Sequence, residues 1–151
     1  MEYAFLIAIA NPIGPLLCFS IADRIERKWQ IVWAGVSIGA FIYFFANQGN
    51  PALIITFGVL VTLANNWMSF AFHNYQGEIF PTRIRARAVG FVYAWSRVSA
   101  AFAGLFIGFF LRQGGTPAVA LFIAGAMAIM VITIGAFGPK TRGLPLEAIS
   151  R

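Results

Sequence analysis

Five apolar stretches divide this chain, at about 3–22, 29–46, 51–75, 88–111 and 117–137, with short polar connections between them. Each is close to the roughly 20 residues a helix needs to cross hydrocarbon at about 1.5 Å per residue. A chain so divided has few options, because in lipid every backbone polar group must be satisfied within the protein. The expected fold is all-α, with five transmembrane helices. Composition agrees: 60% of the residues are hydrophobic and 11% charged, too apolar for a soluble domain of this length. The first stretch does not read as a signal peptide, since Glu2 replaces a basic leading region and no small-residue cleavage site precedes "ADRIERK".

The net charge of +6 does not point to nucleic acid, because the cations fall in short clusters and not on one continuous face. The loop at 23–28 carries Arg24, Arg27 and Lys28; the loop at 78–87 carries Arg83, Arg85 and Arg87; the tail at 138–151 carries Lys140, Arg142 and Arg151. Alternating helices put all of these on one side. That side is expected to be cytoplasmic, with the N-terminus outside and the C-terminus inside a plasma membrane of bacterial inner-membrane type. The lipid bilayer is thus the first partner. Cys18 sits alone in an apolar run and reads as packing, and no metal-ligand cluster, cofactor motif or hydrolase elbow is present. No enzymatic role, cofactor or metal is expected.

The polar residues inside the apolar stretches are ordered. Thr62, Asn66, Ser69, His73 and Gln76 recur at intervals of 4, 3, 4 and 3, along one face of a helix. Such a face avoids lipid and lines a bundle interior or a wet cavity. Arg97 stands about ten residues into the fourth stretch, roughly 15 Å along the axis, where an unpaired guanidinium costs at least about 2.5 to 3.5 kcal/mol. An anionic substrate, water, a carbonyl or another helix would offset that cost, and the bland alternative is a snorkelling structural arginine. Tyr93 is expected to share its face, and Asn66 its depth; Asn66 could equally be interhelical glue. Asn11, beside Pro12, Gly14 and Pro15, marks a kink with freed carbonyls. These four, Arg97, Tyr93, Asn66 and Asn11, are the candidate substrate contacts. His73, the single histidine, is a candidate for proton coupling, against the plainer reading of a helix-end histidine bonded to a neighbour. The second and fifth stretches have almost no central polar residue and are expected to be lipid-facing supports.

Glu78 and Arg85 have six residues between them, with Pro81 to break the chain, a spacing that lets a helix-end carboxylate meet an arginine of the next helix. Asp23, Arg24 and Arg27 could join the same network.

At these residues the chain resembles a known family. "DRIERK" looks like the D-R-x-G-R-R loop of the major facilitator superfamily, "EIFPTRIR" like the E-x6-R corner of its sugar-porter-like branch, and "GPKTRGLPLEAI" like that branch's C-terminal motif. The resemblance covers all of the chain as a partial C-terminal half, the eighth to twelfth helices of a twelve-helix transporter. It implies a cytoplasmic charge network of Asp23, Arg24, Arg27, Glu78 and Arg85 that holds the outward-facing state. Glu26 replaces a glycine of the loop motif and Lys140 a glutamate of the tail motif. "NNWMSFAFHNYQGE" stands where sugar porters carry G-P-x-P-W, which favours a metabolite or organic-acid:proton symporter over a sugar porter. The expected function is therefore that of a transporter fragment moving a small-molecule substrate, an organic acid anion, by alternating access. A truncated gene product is expected, working with a complementary N-terminal transporter polypeptide or else surviving as a non-transporting remnant or small membrane interaction protein.

Overall fold

The computed structural model describes residues 25–139 and 141, together with 7, 8, 11, 12 and 14. Most of the first apolar stretch, with Cys18, lies outside the described residues, as do Asp23, Arg24, Lys140 and residues 142–151.

Three helices carry the described residues: α1 (Arg27–Ala46), α2 (Pro51–Ile79) and α3 (Arg85–Phe137). Each is long and apolar enough to cross a membrane. The count of five transmembrane helices is more than these elements show. The fourth and fifth apolar stretches fall within the single 53-residue α3, which is interrupted at Gly115 by φ 67° and ψ −158°. Only glycine adopts that conformation readily, so the interruption sits where R-Q-G-G-T supplies one. Two arms result, one on each side of Gly115.

The ends of the helices follow from local chemistry. Asn50 caps α2 by accepting from the Ala52 N–H at 2.9 Å, and Pro51 occupies the first turn, where its missing donor costs nothing. α2 stops at Phe80, which is extended at φ −86° and ψ 128° because Pro81 follows. Gly138 ends α3 with φ −65° and ψ 128° ahead of Pro139 for the same reason.

Contacts fix the directions. Phe57 of α2 meets Phe41 and Phe44 near the end of α1, while Glu78 of α2 meets Arg27 at its start, so the two helices are antiparallel. The second arm of α3 is antiparallel to α1 as well: Gly39 faces Ala124, Gly35 faces Val131, and Lys28 reaches Gly138. Phe122 of the second arm stacks on Phe110 of the first, with centroids 5.0 Å apart, which folds the arms back on each other. Ile31, Ala71 and Tyr75 form the buried centre, flanked by Met68, Phe72, Met130 and Ile134.

α1, read from its apolar sequence as a lipid-facing support, is the most buried helix among those described, at 28% of its most apolar window against 11% for α2 and 6% for α3. The reason is glycine: a Cβ on Gly35 would come within 2.7 Å of Val131, so the bare backbone admits the second arm closely. Hydropathy alone does not distinguish a lipid neighbour from a helix neighbour.

Candidate functional site

The ends of α1, α2 and α3 converge on the Glu78 carboxylate. Arg27 Nε donates to Oε1 at 3.1 Å, and Thr141 Oγ1 donates to Oε2 at 2.6 Å. Two further bonds hold the segment after α3 to the same place: Lys28 Nζ donates to the Gly138 carbonyl at 3.0 Å, and Tyr75 Oη to the Pro139 carbonyl at 2.9 Å. Thr141 is 3% exposed, so its bond to the carboxylate is shielded from solvent. α1, α2 and the chain after α3 are thereby tied at one end.

The expected meeting of Glu78 with Arg85 does not occur. Pro81 turns the chain so that the Ile84 and Arg85 N–H groups bond back to the Pro81 carbonyl, and Arg85 Nε donates to the Phe80 carbonyl at 3.1 Å. Both Glu78 oxygens already have donors, and both donors come from outside the E-x6-R spacing. Glu26, standing in the place of a motif glycine, keeps a backbone of φ −59° and ψ 136° and gives α1 no side-chain cap.

A second feature opens beside this junction. A cavity of about 320 Å³ lies among α1, α2 and both arms of α3, with Asn65, Ser69, His73, Gln76, Tyr93 and Ser96 supplying its polar groups. Tyr93 Oη lies 3.0 Å from His73 Nδ1, and the two rings stack with centroids 5.7 Å apart. His73 thus bonds a neighbour across helices, as the plainer reading of a helix-end histidine expects. The polar face of α2 is divided accordingly: Ser69, His73 and Gln76 line the cavity, Thr62 bonds to its own helix at the Gly58 carbonyl, and Asn66 looks elsewhere.

Asn66 Nδ2 lies 3.3 Å from both the carbonyl and the Oδ1 of Asn11, and Gly14 is pressed against its side chain. This pair joins α2 to the first apolar stretch. Arg97 stands apart from both sites. It is exposed on the first arm, about 18 Å from the start of α3, and makes no hydrogen bond or ion pair among the described residues. Although four positions from Tyr93, it does not line the cavity that Tyr93 lines. The four candidate substrate contacts are therefore spread over three places.

Sequence reasoning missed Gln30, whose side chain is fully buried, donates to the Ile25 carbonyl at 2.6 Å and accepts from Trp67 Nε1 at 3.4 Å. An amide at the mouth of an apolar stretch was the available signal. Thr141 was visible only as part of a motif, and the carbonyls of Gly138 and Pro139 carry no sequence signal at all.

Residues 3–148 match the family model of the Major Facilitator Superfamily. Over 139 residues the chain is 30% identical to YyaJ of Bacillus subtilis, a protein named for metabolite transport, covering 92% of this chain and 31% of that one. It is 31% identical over 146 residues to the minor myo-inositol transporter IolF of the same organism, covering 93% and 33%. It is 28% identical over 118 residues to the cis,cis-muconate transport protein of Acinetobacter baylyi, covering 76% and 27%. The chain spans about a third of the length of these curated relatives.

Proposed function

We propose that this chain, which belongs to the Major Facilitator Superfamily, supplies a helical part of a secondary active transporter that moves a small organic acid anion by alternating access with proton coupling. The observation that carries the reading is the tie at Glu78, where one carboxylate takes Arg27 from α1 and Thr141 from beyond α3. Closed, this junction fastens the ends of three elements on one side of the bundle. Opened, it lets them separate, and a transporter built of parts that rock about a central site needs such a releasable fastening.

In this reading the first apolar stretch and the two arms of α3 complete five transmembrane helices in a bacterial inner membrane, N-terminus outside and C-terminus in the cytoplasm. The positive-inside distribution of the loop arginines supports that orientation. The exposed first arm packs against further helices of the transporter, on the same polypeptide or another. Arg97 faces the substrate's carboxylate from that arm, since a lone guanidinium in hydrocarbon calls for a counter-charge. The name of the muconate relative supports a carboxylate cargo. His73, bonded to Tyr93 at the cavity, is the group placed to exchange a proton.

A neutral polyol or sugar is the second reading, favoured by the myo-inositol relative and by the uncharged amide and hydroxyl groups around the cavity. Uptake of labelled carboxylates and polyols into vesicles decides between them, with the chain tested alone, with a complementary transporter polypeptide, and as Arg97→Ala. Carboxylate uptake that Arg97→Ala abolishes supports the first reading; polyol uptake indifferent to Arg97 supports the second. Stable insertion without uptake of either in any combination would make the chain a non-transporting membrane protein.

A further inference from the structure

Gln76 is 7% exposed, yet its side-chain amide makes no hydrogen bond among the described residues. It lines the cavity among α1, α2 and the two arms of α3. A primary amide offers two N–H donors and a carbonyl acceptor, and a buried one normally has them taken up. The volume of about 320 Å³ falls at the lower end of the roughly 300–1,000 Å³ that small-molecule sites occupy.

The walls around this amide are apolar and soft. Met68, Met127 and Met130, three of the chain's four methionines, line the cavity together with Phe72 and the fully buried Ile31. Thioether sulfur and an aromatic face are both favourable neighbours for a flat ring. The hydroxyl and amide side chains of Asn65, Ser69 and Ser96 belong to exposed residues, so polarity rises toward the mouth. No Asp, Glu, Lys or Arg lines the cavity, and His73 is already bonded to Tyr93. A carboxylate placed at the inner end would lose its water without meeting a counter-charge, and a polyol would set hydroxyls against methionine and phenylalanine.

We infer that the cavity binds an uncharged flat ring that carries a carboxamide. The carboxamide presents a donor and an acceptor in the order opposite to those of Gln76, so two antiparallel hydrogen bonds satisfy both amides. The ring lies among the methionines and Phe72. This site is separate from Arg97, so it stands or fails independently of the anion proposed as cargo.

Nuclear magnetic resonance of the full chain in detergent, isotopically labelled at its methionine methyls, tests the inference with benzamide as the probe. A bound aromatic ring is expected to shift the Met68, Met127 and Met130 signals saturably. Gln76→Leu is expected to weaken benzamide binding by about tenfold. The same change at Gln113, an exposed amide near Gly115, is expected to leave binding as in the parent. Benzoate at neutral pH, of the same shape but charged, is expected to shift the methyls only at much higher concentration, and myo-inositol is expected not to displace benzamide. A ligand-free methyl spectrum matching the parent's separates lost binding from lost folding, and Gln76→Asn, which withdraws the amide from its place, carries the test if Gln76→Leu does not insert. Shifts that never saturate, equal binding in a folded Gln76 variant, or an equal loss in Gln113→Leu would overturn the site. Benzoate binding as tightly as benzamide would make the cavity an anion site, and displacement by myo-inositol would make it a polyol site; either result overturns the assignment.

Discussion

Arg27 and Glu78, 51 positions apart, meet at 3.1 Å with side chains 17% and 29% exposed. The pair is dry enough to matter and wet enough to break, which suits a fastening that opens and closes. Glu78→Gln keeps the shape of the side chain and removes its charge. In the full transporter it is expected to impair transport by shifting the balance between outward and inward states more than by weakening substrate binding. Cysteine accessibility from each side of the membrane checks this, and equal accessibility in variant and parent would count against it.

Thr141→Val removes the hydroxyl that serves Glu78 Oε2 and leaves the volume nearly unchanged. The expected cost is about 1 to 3 kcal/mol, because a buried bond to a charged group is lost. Thermal unfolding in detergent measures it, and Thr141→Ser should restore most of the loss.

Gly115 holds φ 67° and ψ −158°, a conformation a side chain resists. Gly115→Ala is expected to destabilise the hairpin of α3 by about 1 to 3 kcal/mol. Gly90→Ala, with nothing within 4 Å of the added carbon, provides the control and should melt like the parent.

Gly35→Leu would drive a side chain into Val131 and Met130, which stand 2.7 Å and 2.9 Å from where its first carbon would lie. The second arm is expected to move off α1, at a cost of about 1 to 3 kcal/mol. A cysteine pair at Gly39 and Ala124, whose backbones face each other, should cross-link readily in the parent and poorly in this variant.

Tyr93→Phe leaves the stacked ring on His73 and removes its hydroxyl. A double-mutant cycle with His73→Phe is expected to return a coupling of about 0.5 to 1.5 kcal/mol. Additive effects would mean the contact contributes nothing to holding α2 against the first arm.

Apolar length marked the end of α1 at 46 and the start of α2 at 51, and Pro81 broke the chain after α2, whereas the fourth and fifth stretches fall within the single α3. The special role of Glu78 was legible too, since a carboxylate between apolar stretches requires a donor. Its partners were less so. Arg27 was named among several cations, Arg85 was placed on Glu78 by spacing, and the turn at Pro81 sends Arg85 to a carbonyl instead. Direction was not readable from counting: one turn separates Tyr93 from Arg97, and only the first lines the cavity. The burial of α1 depends on which helix its glycines admit, a question answered by a segment nearly a hundred positions later.

The bonds that Gly138, Pro139 and Thr141 make with Lys28, Tyr75 and Glu78 bear on how the chain is made. Lys28, Tyr75 and Glu78 leave the ribosome before their partners exist. Glu78 can take Arg27 once α2 is made, but its Oε2, Lys28 Nζ and Tyr75 Oη gain these partners only when the stretch after α3 emerges. These three bonds are therefore among the last contacts the described residues can make. A chain that ended within α3 would leave Lys28 Nζ, Tyr75 Oη and Glu78 Oε2 without these partners at the end of the bundle.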